Sequence, residues 1–150
     1  MNSKTLIDDF LSKKEVAVIG VSSKGKGFGV AVYNQLKKAG YNVFGVNKNG
    51  GLLNENMLYK SLNDLPQKVG AVITVIPPAE TEKIIDEMIE LSINHIWMQQ
   101  GSESNKAIEK CNVYGIKVIS GECILMYAEP VKSIHSFHRW INKIIGKYPN

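Results

Sequence analysis

Short apolar segments, separated by amphipathic stretches, constrain the fold of this chain more than any other feature. There are five of them: VAVIG (16–20), YNVFGV (41–46), AVITVI (71–76), HIWMQ (95–99) and IKVIS (116–120). An uninterrupted apolar run of this length is typical of a strand that is buried on both faces, as in a parallel sheet. The pattern therefore predicts five buried parallel strands.

Between these segments, apolar residues recur every three or four positions, which is the period of a helix. The stripes cover residues 28–39, 84–89, 107–114 and 134–145, and a shorter stripe over 6–11 precedes the first strand. Strands that alternate with helices through short connections form right-handed βαβ units. We therefore predict an α/β fold: one domain over residues 1–150, with a doubly wound parallel sheet of about five strands between two helical layers.

Composition excludes several classes of protein. The net charge of +4 comes almost wholly from lysines scattered along the chain, with Arg139 as the one arginine, so we expect no nucleic-acid partner. No apolar segment reaches the ~18 residues that would span a bilayer. Asp8 and Asp9 stand where a signal peptide would be apolar, and two cysteines, Cys111 and Cys123, fit a reducing compartment. We expect a cytoplasmic protein without a membrane partner.

The first strand leads into the loop GVSSKGKGFG (20–29), where ligands bind in a doubly wound sheet. This loop nearly forms a P-loop, since Gly20, Gly25 and Lys26 have the right spacing. The next residue is Gly27, however, where a serine or threonine must bind magnesium. The third strand also runs into Pro77 instead of an aspartate, so the sequence argues against nucleoside triphosphate hydrolysis.

Two further glycine motifs are incomplete in the same loop. The dinucleotide fingerprint has Ser22 in place of its second glycine, and the nucleophile elbow has Lys24 in place of its last glycine. NAD-binding proteins favour an acidic residue after the second strand, where this chain has Asn47 and Lys48. A lysine at that point suits an anionic group on the ribose better than a free diol.

A loop of glycine, serine and lysine before a helix remains. Its amides, the positive helix end and the hydroxyls of Ser22 and Ser23 can bind a pyrophosphate. We expect Gly20 to lack a side chain so that the ligand can approach the backbone. The alternative interpretation is a plain β–α turn.

Taken in order, several segments resemble the coenzyme A-binding protein family, whose members are stand-alone Rossmann-like domains. These domains are similar to the N-terminal domain of succinyl-CoA ligase α subunits. The resemblance covers nearly the whole chain, and the segments that carry it are Gly20-Val21-Ser22, GYNVFGVN (40–47), VIPP (75–78), WMQQGSES (97–104) and GIKVISGECILMY (115–127).

The resemblance implies a coenzyme A pocket. The pyrophosphate would lie near Gly20, Ser22, Ser23 and Lys24, and the cofactor site would also include Val21, Gly29 and Val30. The adenosine ribose and its 3′-phosphate would lie near Asn47 and Lys48. The adenine or the pantetheine arm would contact a wall of Ile76, Pro77 and Pro78, and the pantetheine would leave past Gln100 and Gly101.

These expectations favour non-catalytic binding of coenzyme A or acyl-CoA, with no catalytic or metal-binding residues. One alternative is an NAD(P)-binding protein, either a redox sensor or an oxidoreductase subunit. Another is the nucleotide-binding half of an acyl-CoA ligase that needs a partner chain, which leaves a protein partner open. Cys123 is either a small buried residue or a thiol facing that of coenzyme A, whereas Cys111 lies on an apolar helical stripe and is expected in the core.

Overall fold

A computed structural model describes residues 2–127, which form one sheet with helices on both faces. The strands are β1 (Glu15–Ile19), β2 (Asn42–Val46), β3 (Leu52–Leu53), β4 (Asn56–Tyr59), β5 (Ala71–Thr74), β6 (His95–Met98) and β7 (Lys117–Ser120). The helices are α1 (Lys4–Leu11), α2 (Phe28–Lys38), α3 (Pro78–Leu91) and α4 (Asn105–Tyr114). Short 3-10 turns cover Leu62–Asp64 and Ile124–Met126. The helix predicted over 134–145 lies outside the described residues.

The sheet has the strand order β3-β4-β2-β1-β5-β6-β7, and every pair except β3 with β4 is parallel. The chain winds outwards from β1 to β2 and β4, then returns to the other side of β1 to form β5, β6 and β7. The predicted doubly wound α/β fold is thereby confirmed, with seven strands instead of about five. The direction of winding reverses beside β1, so the carboxyl ends of β1 and β5 flank a crevice.

The two additional strands form a hairpin at one edge of the sheet. Asn54 and Glu55 make its turn with φ values of 48° and 71°, as a two-residue hairpin turn requires. Leu53 is buried, whereas Leu52 and its cross-strand neighbour Met57 are each 59% exposed. Each strand has one apolar residue inwards and one outwards, and its apolar run is only two or three residues long, LL at 52–53 and MLY at 57–59.

Successive residues of each central strand point to opposite faces of the sheet, which divides the core in two. Val18 contributes to the core under α1 and α2, and its neighbour Ile19 contributes to the core under α3 and α4. Both faces of the central strands are therefore covered, which explains their continuous apolar sequences. No helix among residues 2–127 is both long and apolar enough to cross a membrane.

Helix α1 is fastened to the sheet at the start of β6 and β7. Phe10 packs edge-on against Trp97 with ring centroids 5.3 Å apart. The carboxylate of Asp9 contacts Nε2 of His95 at 2.7 Å and Nζ of Lys117 at 3.3 Å. The side-chain amide of Asn2 also bonds the backbone of the last residue of β7, which anchors the segment before α1.

Candidate functional site

A cleft of about 480 Å³ opens at the carboxyl ends of β1, β2 and β5. Its walls are the loops that follow these strands, the residue after β4, and one face of α3. The apolar part of the lining consists of Ile19, Val46, Ile76 and Ile84. The polar part consists of Gly20, Ser22, Asn47, Lys48, Asn49, Lys60, Glu80, Lys83 and Glu87. The cleft therefore combines apolar side chains with a polar part that carries three lysines and two glutamates.

Gly20 has a role in folding that the sequence did not indicate. Its φ of +107° lies in the region that favours glycine, and a Cβ there would come closer than 3.0 Å to the carbonyl oxygen of Val75. The N–H groups of Gly20 and Val21 both donate to the carbonyl of Val46, at 2.9 and 3.1 Å. The fold itself therefore excludes a side chain at this position, and these two amides are engaged within the protein. The close approach of a ligand to Gly20 stays a prediction.

Gly29 brings the start of α2 against the end of β1. A Cβ on Gly29 would fall within 3.0 Å of the carbonyl oxygen of Gly20, so only glycine allows this approach. Helix α2 begins after Gly27, and no side chain among the described residues caps it. The first amides of an uncapped helix carry partial positive charge and point towards the space before it. This end of α2 can therefore accept an anion.

Ser22 shapes the loop between β1 and α2. Its Oγ accepts a hydrogen bond from the N–H of Lys24 at 3.1 Å, and its carbonyl accepts one from Gly25 at 3.3 Å. The hydroxyl proton of Ser22 is still available to a ligand because the side chain acts as an acceptor in this turn. Ser23 and Lys24 are exposed outside the cleft lining.

Asn47 joins the loops after β1 and β2. Its Nδ2 donates to the carbonyl of Val21 at 3.0 Å, and its Oδ1 accepts from the N–H of Asn49 at 2.8 Å. Lys48 extends into solvent, and its Nζ lies 3.3 Å from Oε1 of Glu80, with 77% of the lysine side chain exposed. Asn47 therefore holds the site in shape, whereas Lys48 is accessible to a ligand.

The structure brings only some of the predicted site residues together. Gly20, Ser22, Asn47, Lys48 and Ile76 line the same cleft. Others lie beside it: Val21 and Gly29 are buried beneath the loop, Pro77 and Pro78 are exposed at the start of α3, and Val30 lines a shallower groove of about 320 Å³ along α2. Gln100 and Gly101 lie after β6, outside the cleft lining.

Lys60, Glu80, Lys83 and Glu87 also line the cleft and were missed by the sequence analysis. Lys60 follows β4, so it could not be placed without the hairpin. The other three are spaced by three and four residues along α3, which is the spacing that puts side chains on one helical face. That spacing was the available signal for these three residues, whereas the ends of the strands do not indicate them. Oε1 of Glu87 accepts a bond from the N–H of Leu62 at 3.0 Å, and burial raises the pKa of this carboxyl.

Gln99, also missed, lies buried at the end of β6 with 1% of its surface exposed. Its Oε1 accepts a hydrogen bond from the N–H of Ile124 at 3.1 Å. Its Nε2 has no hydrogen-bond partner among the described residues. Since an unpaired buried donor is costly, this amide group is a candidate contact for a polar ligand atom.

The two cysteines form neither a disulfide nor part of a metal-binding group among the described residues. Cys111 and Cys123 are not joined in a disulfide, and both are buried, at 0% and 8% exposure. Burial raises the pKa of the Cys111 thiol to about 12, as expected of a core residue. Among residues 2–127, no three His, Cys, Asp or Glu side chains are grouped in a way that could hold a metal ion.

Comparison with known proteins identifies relatives of this chain. The sequence profile of a family described as "CoA binding domain" matches residues 14–129. The chain is 25% identical over 130 residues to the α subunit of ADP-forming acetate–CoA ligase II from Pyrococcus furiosus, covering 79% of this chain and 28% of that protein. It is 24% identical over 142 residues to the α subunit of ligase I from the same organism, covering 84% and 31%.

Among solved structures, a hypothetical protein from Pyrococcus horikoshii superposes with a TM-score of 0.77 at 23% identity. The match covers 82% of this chain and 87% of that protein. A likeness at this identity establishes the fold. The chain thus spans less than a third of the two curated ligase subunits, but nearly all of a protein of similar size.

Proposed function

This chain belongs to the CoA-binding domain family, and we propose that it binds coenzyme A or acyl-CoA in the cleft at the carboxyl ends of β1, β2 and β5. The observation that carries the proposal is that the family match over residues 14–129 includes every residue of the cleft lining. The volume of about 480 Å³ also falls in the range of ~300–1,000 Å³ that small-molecule sites occupy.

The chemistry of the cleft fits the two ends of such a ligand. Ile76 and Ile84 offer an apolar surface to the adenine, and the uncapped start of α2 with the Ser22 hydroxyl offers donors to the pyrophosphate. The pantetheine arm contains amide carbonyls, and Nε2 of Gln99, which has no partner among the described residues, is a donor of the kind that they need. Gln99 is buried outside the cleft lining, so this contact requires the arm to extend past the end of β6. The lysines at the mouth would meet the negative charge of the nucleotide.

We infer that the chain binds this ligand without catalysing a reaction on its own. The loop has Gly27 where a P-loop would place a hydroxyl on magnesium, and β5 continues into Val75, Ile76 and Pro77 instead of an acidic residue. The carboxylate of Glu87, which lies in the cleft wall, accepts a backbone hydrogen bond. The residues at hand serve recognition.

A second candidate function is that of the nucleotide-binding part of a ligase completed by another chain. It is favoured by the names of the two curated relatives, which are α subunits of ADP-forming acetate–CoA ligases. Purification from cells at low salt, followed by identification of bound chains, would test it. A stoichiometric partner that confers acetate-dependent turnover would place the second candidate first. We further infer a cytoplasmic location, which is supported by the reduced state of Cys111 and Cys123.

Calorimetric titration with coenzyme A, acetyl-CoA, NAD⁺ and NADP⁺ tests the main proposal. We expect both CoA compounds to bind more tightly than either dinucleotide. Charge reversal of Lys48 to glutamate should weaken CoA binding. The same change at Lys68, an exposed lysine that precedes β5 at the amino ends of the strands, away from the cleft, should leave it unchanged. Tighter binding of NAD⁺ or NADP⁺ than of CoA would overturn the proposal.

A further inference from the structure

Three lysines line the mouth of the cleft, each from a different element. Lys48 follows β2, Lys60 follows β4, and Lys83 projects from α3. Lys48 is paired with Glu80, at 3.3 Å. Neither Lys60 nor Lys83 has an ion-pair partner within the described part of the chain. Two lysines without an ion-pair partner among the described residues therefore line one cavity, which Glu80 and Glu87 also line.

The position of Lys60 is set by a glycine in the loop after β2. Gly50 is buried with a φ of +67°, and its N–H donates to the carbonyl of Asn47 at 2.7 Å. A Cβ on Gly50 would lie 3.3 Å from Cε and 3.4 Å from Cγ of Lys60. The aliphatic stem of Lys60 thus packs along this turn, which directs the side chain to the cleft mouth.

Lys83 stands between two acidic residues of α3 without forming an ion pair to either. Glu80, three residues earlier, contacts Lys48. Glu87, four residues later, accepts a hydrogen bond from the N–H of Leu62. Both carboxylates have other partners, so the ammonium group of Lys83 is available to a ligand in the cleft.

We propose that Lys60 and Lys83 form the binding site for a phosphate monoester on the ribose of an adenine nucleotide, and that Glu80 competes with this phosphate for Lys48. The inference rests on the proposed function and names its specificity residues. A phosphate monoester carries a charge of about −1.5 to −2 near neutral pH, more than one lysine balances. The carboxylate of Glu80 holds Lys48 when the site is empty and yields it when the phosphate binds.

The test compares ligands that differ only by this phosphate. Coenzyme A and dephospho-CoA are titrated into the parent and into Lys60→Met, Lys83→Met and the double variant, since methionine keeps most of the aliphatic stem. We expect each single variant to weaken CoA binding about fivefold, the upper range for an exposed ion pair, and dephospho-CoA binding to stay unchanged. Because both lysines would contact the same phosphate, their effects need not multiply, but the double variant should lose at least as much CoA affinity as either single variant. Lys68→Met removes the same charge at the amino ends of the strands, away from the cleft, and should change neither ligand's affinity.

Glu80→Gln provides a change of opposite sign. It removes the competing carboxylate, so CoA should bind up to about fivefold more tightly while dephospho-CoA is little affected. Unchanged CoA affinity in Glu80→Gln would contradict the competition. Thermal unfolding of every variant checks that the fold is kept.

Two results separate this inference from the proposed function. If CoA and dephospho-CoA both bind, but their affinity ratio is the same in the parent and the double variant, the lysine site is overturned and CoA binding stands. If CoA does not bind, while NADP⁺ binds better than NAD⁺ and the variants abolish that difference, the phosphate site stands and the proposed CoA function fails.

Discussion

The carbonyl oxygen of Gly20 occupies the space in which a Cβ on Gly29 would lie, so two glycines let the end of β1 meet the start of α2. A side chain on either residue would meet backbone atoms at less than 3.0 Å. The first turn of α2 can therefore sit at the end of β1. This contact connects the stability of the sheet to the geometry of the candidate site.

We predict that Gly29→Ala destabilises the protein by ~1–3 kcal/mol, the usual cost of forcing extra volume into a packed site. The displaced start of α2 should also weaken CoA binding. Gly70→Ala is the matched control, because a Cβ there meets only the flexible side chain of Lys13, at 3.3 Å. Urea unfolding and CoA titration of both variants provide the measurement. Equal stability of Gly29→Ala and the parent would contradict the close packing.

Ser22→Ala should weaken CoA binding by ~0.5–1.5 kcal/mol, or by up to ~3 kcal/mol if its hydroxyl bonds a charged phosphate oxygen. Some of the loss would come from the turn, since Oγ also accepts the N–H of Lys24. Ser23→Ala is the control, as Ser23 is exposed outside the cleft lining. Calorimetry measures both variants, and circular dichroism melts report any change in folding. Equal binding losses in the two variants would remove Ser22 from the site.

Acid should weaken the attachment of α1 through Asp9. Hydrogen bonds from His95 and Lys117 lower the pKa of this carboxyl below its ordinary value of 3.8. A lowered folded-state pKa contributes stability above the unfolded-state value, and this contribution is lost as the pH falls through the folded-state value. Melting temperatures between about pH 5 and pH 2 should therefore fall less steeply in Asp9→Asn than in the parent.

The neighbouring Asp8→Asn variant is the control for that experiment. Among the described residues, the Asp8 carboxylate forms an ion pair with Lys4 alone, and 59% of its side chain is exposed. Its variant should keep the pH dependence of the parent. If Asp9→Asn and Asp8→Asn give the same profile, the contact with His95 and Lys117 does not contribute to acid stability.

Cys111 should resist thiol reagents as long as the protein is folded. Only the thiolate reacts, and burial raises the pKa of this thiol to about 12. In a Cys123→Ser variant, we expect almost no reaction with Ellman's reagent at about pH 8 until denaturant is added, then one equivalent of thiol. The Cys111→Ser variant reports Cys123 separately. Rapid labelling of folded Cys123→Ser would show that the core opens around α4.

The sequence predicted the central strands well, because strands such as β1 and β5 are buried on both faces and are apolar throughout. The hairpin escaped for the opposite reason. Only Leu53 and Leu58 point inwards, and the turn at Asn54 and Glu55 has positive φ values without a glycine to indicate it. A search for long apolar runs such as those of β1 and β5 cannot find strands whose apolar runs are only two or three residues long.

The candidate site was predictable only where it follows a recognised strand. Lys48 comes directly after β2, so its place at the cleft could be inferred. Lys60 depends on the hairpin, and Lys83 depends on which face of α3 is turned to the cleft. The engagement of the Gly20 and Val21 amides by Val46 could not be inferred either, since it arises from the pairing of two strand ends.

The edges of the sheet have a consequence for behaviour at high protein concentration. Unpaired strand edges act as templates on which other chains add strands and aggregate. On one side, β3 is only two residues long and offers almost no backbone for such growth. On the other side, the Asn2 amide occupies both backbone groups of Ser120 at the end of β7, at 2.7 and 3.4 Å. Asn2 thus occupies the hydrogen-bonding groups that an added strand would use at Ser120. Asn2→Ala would remove this contact and favour strand addition by another molecule.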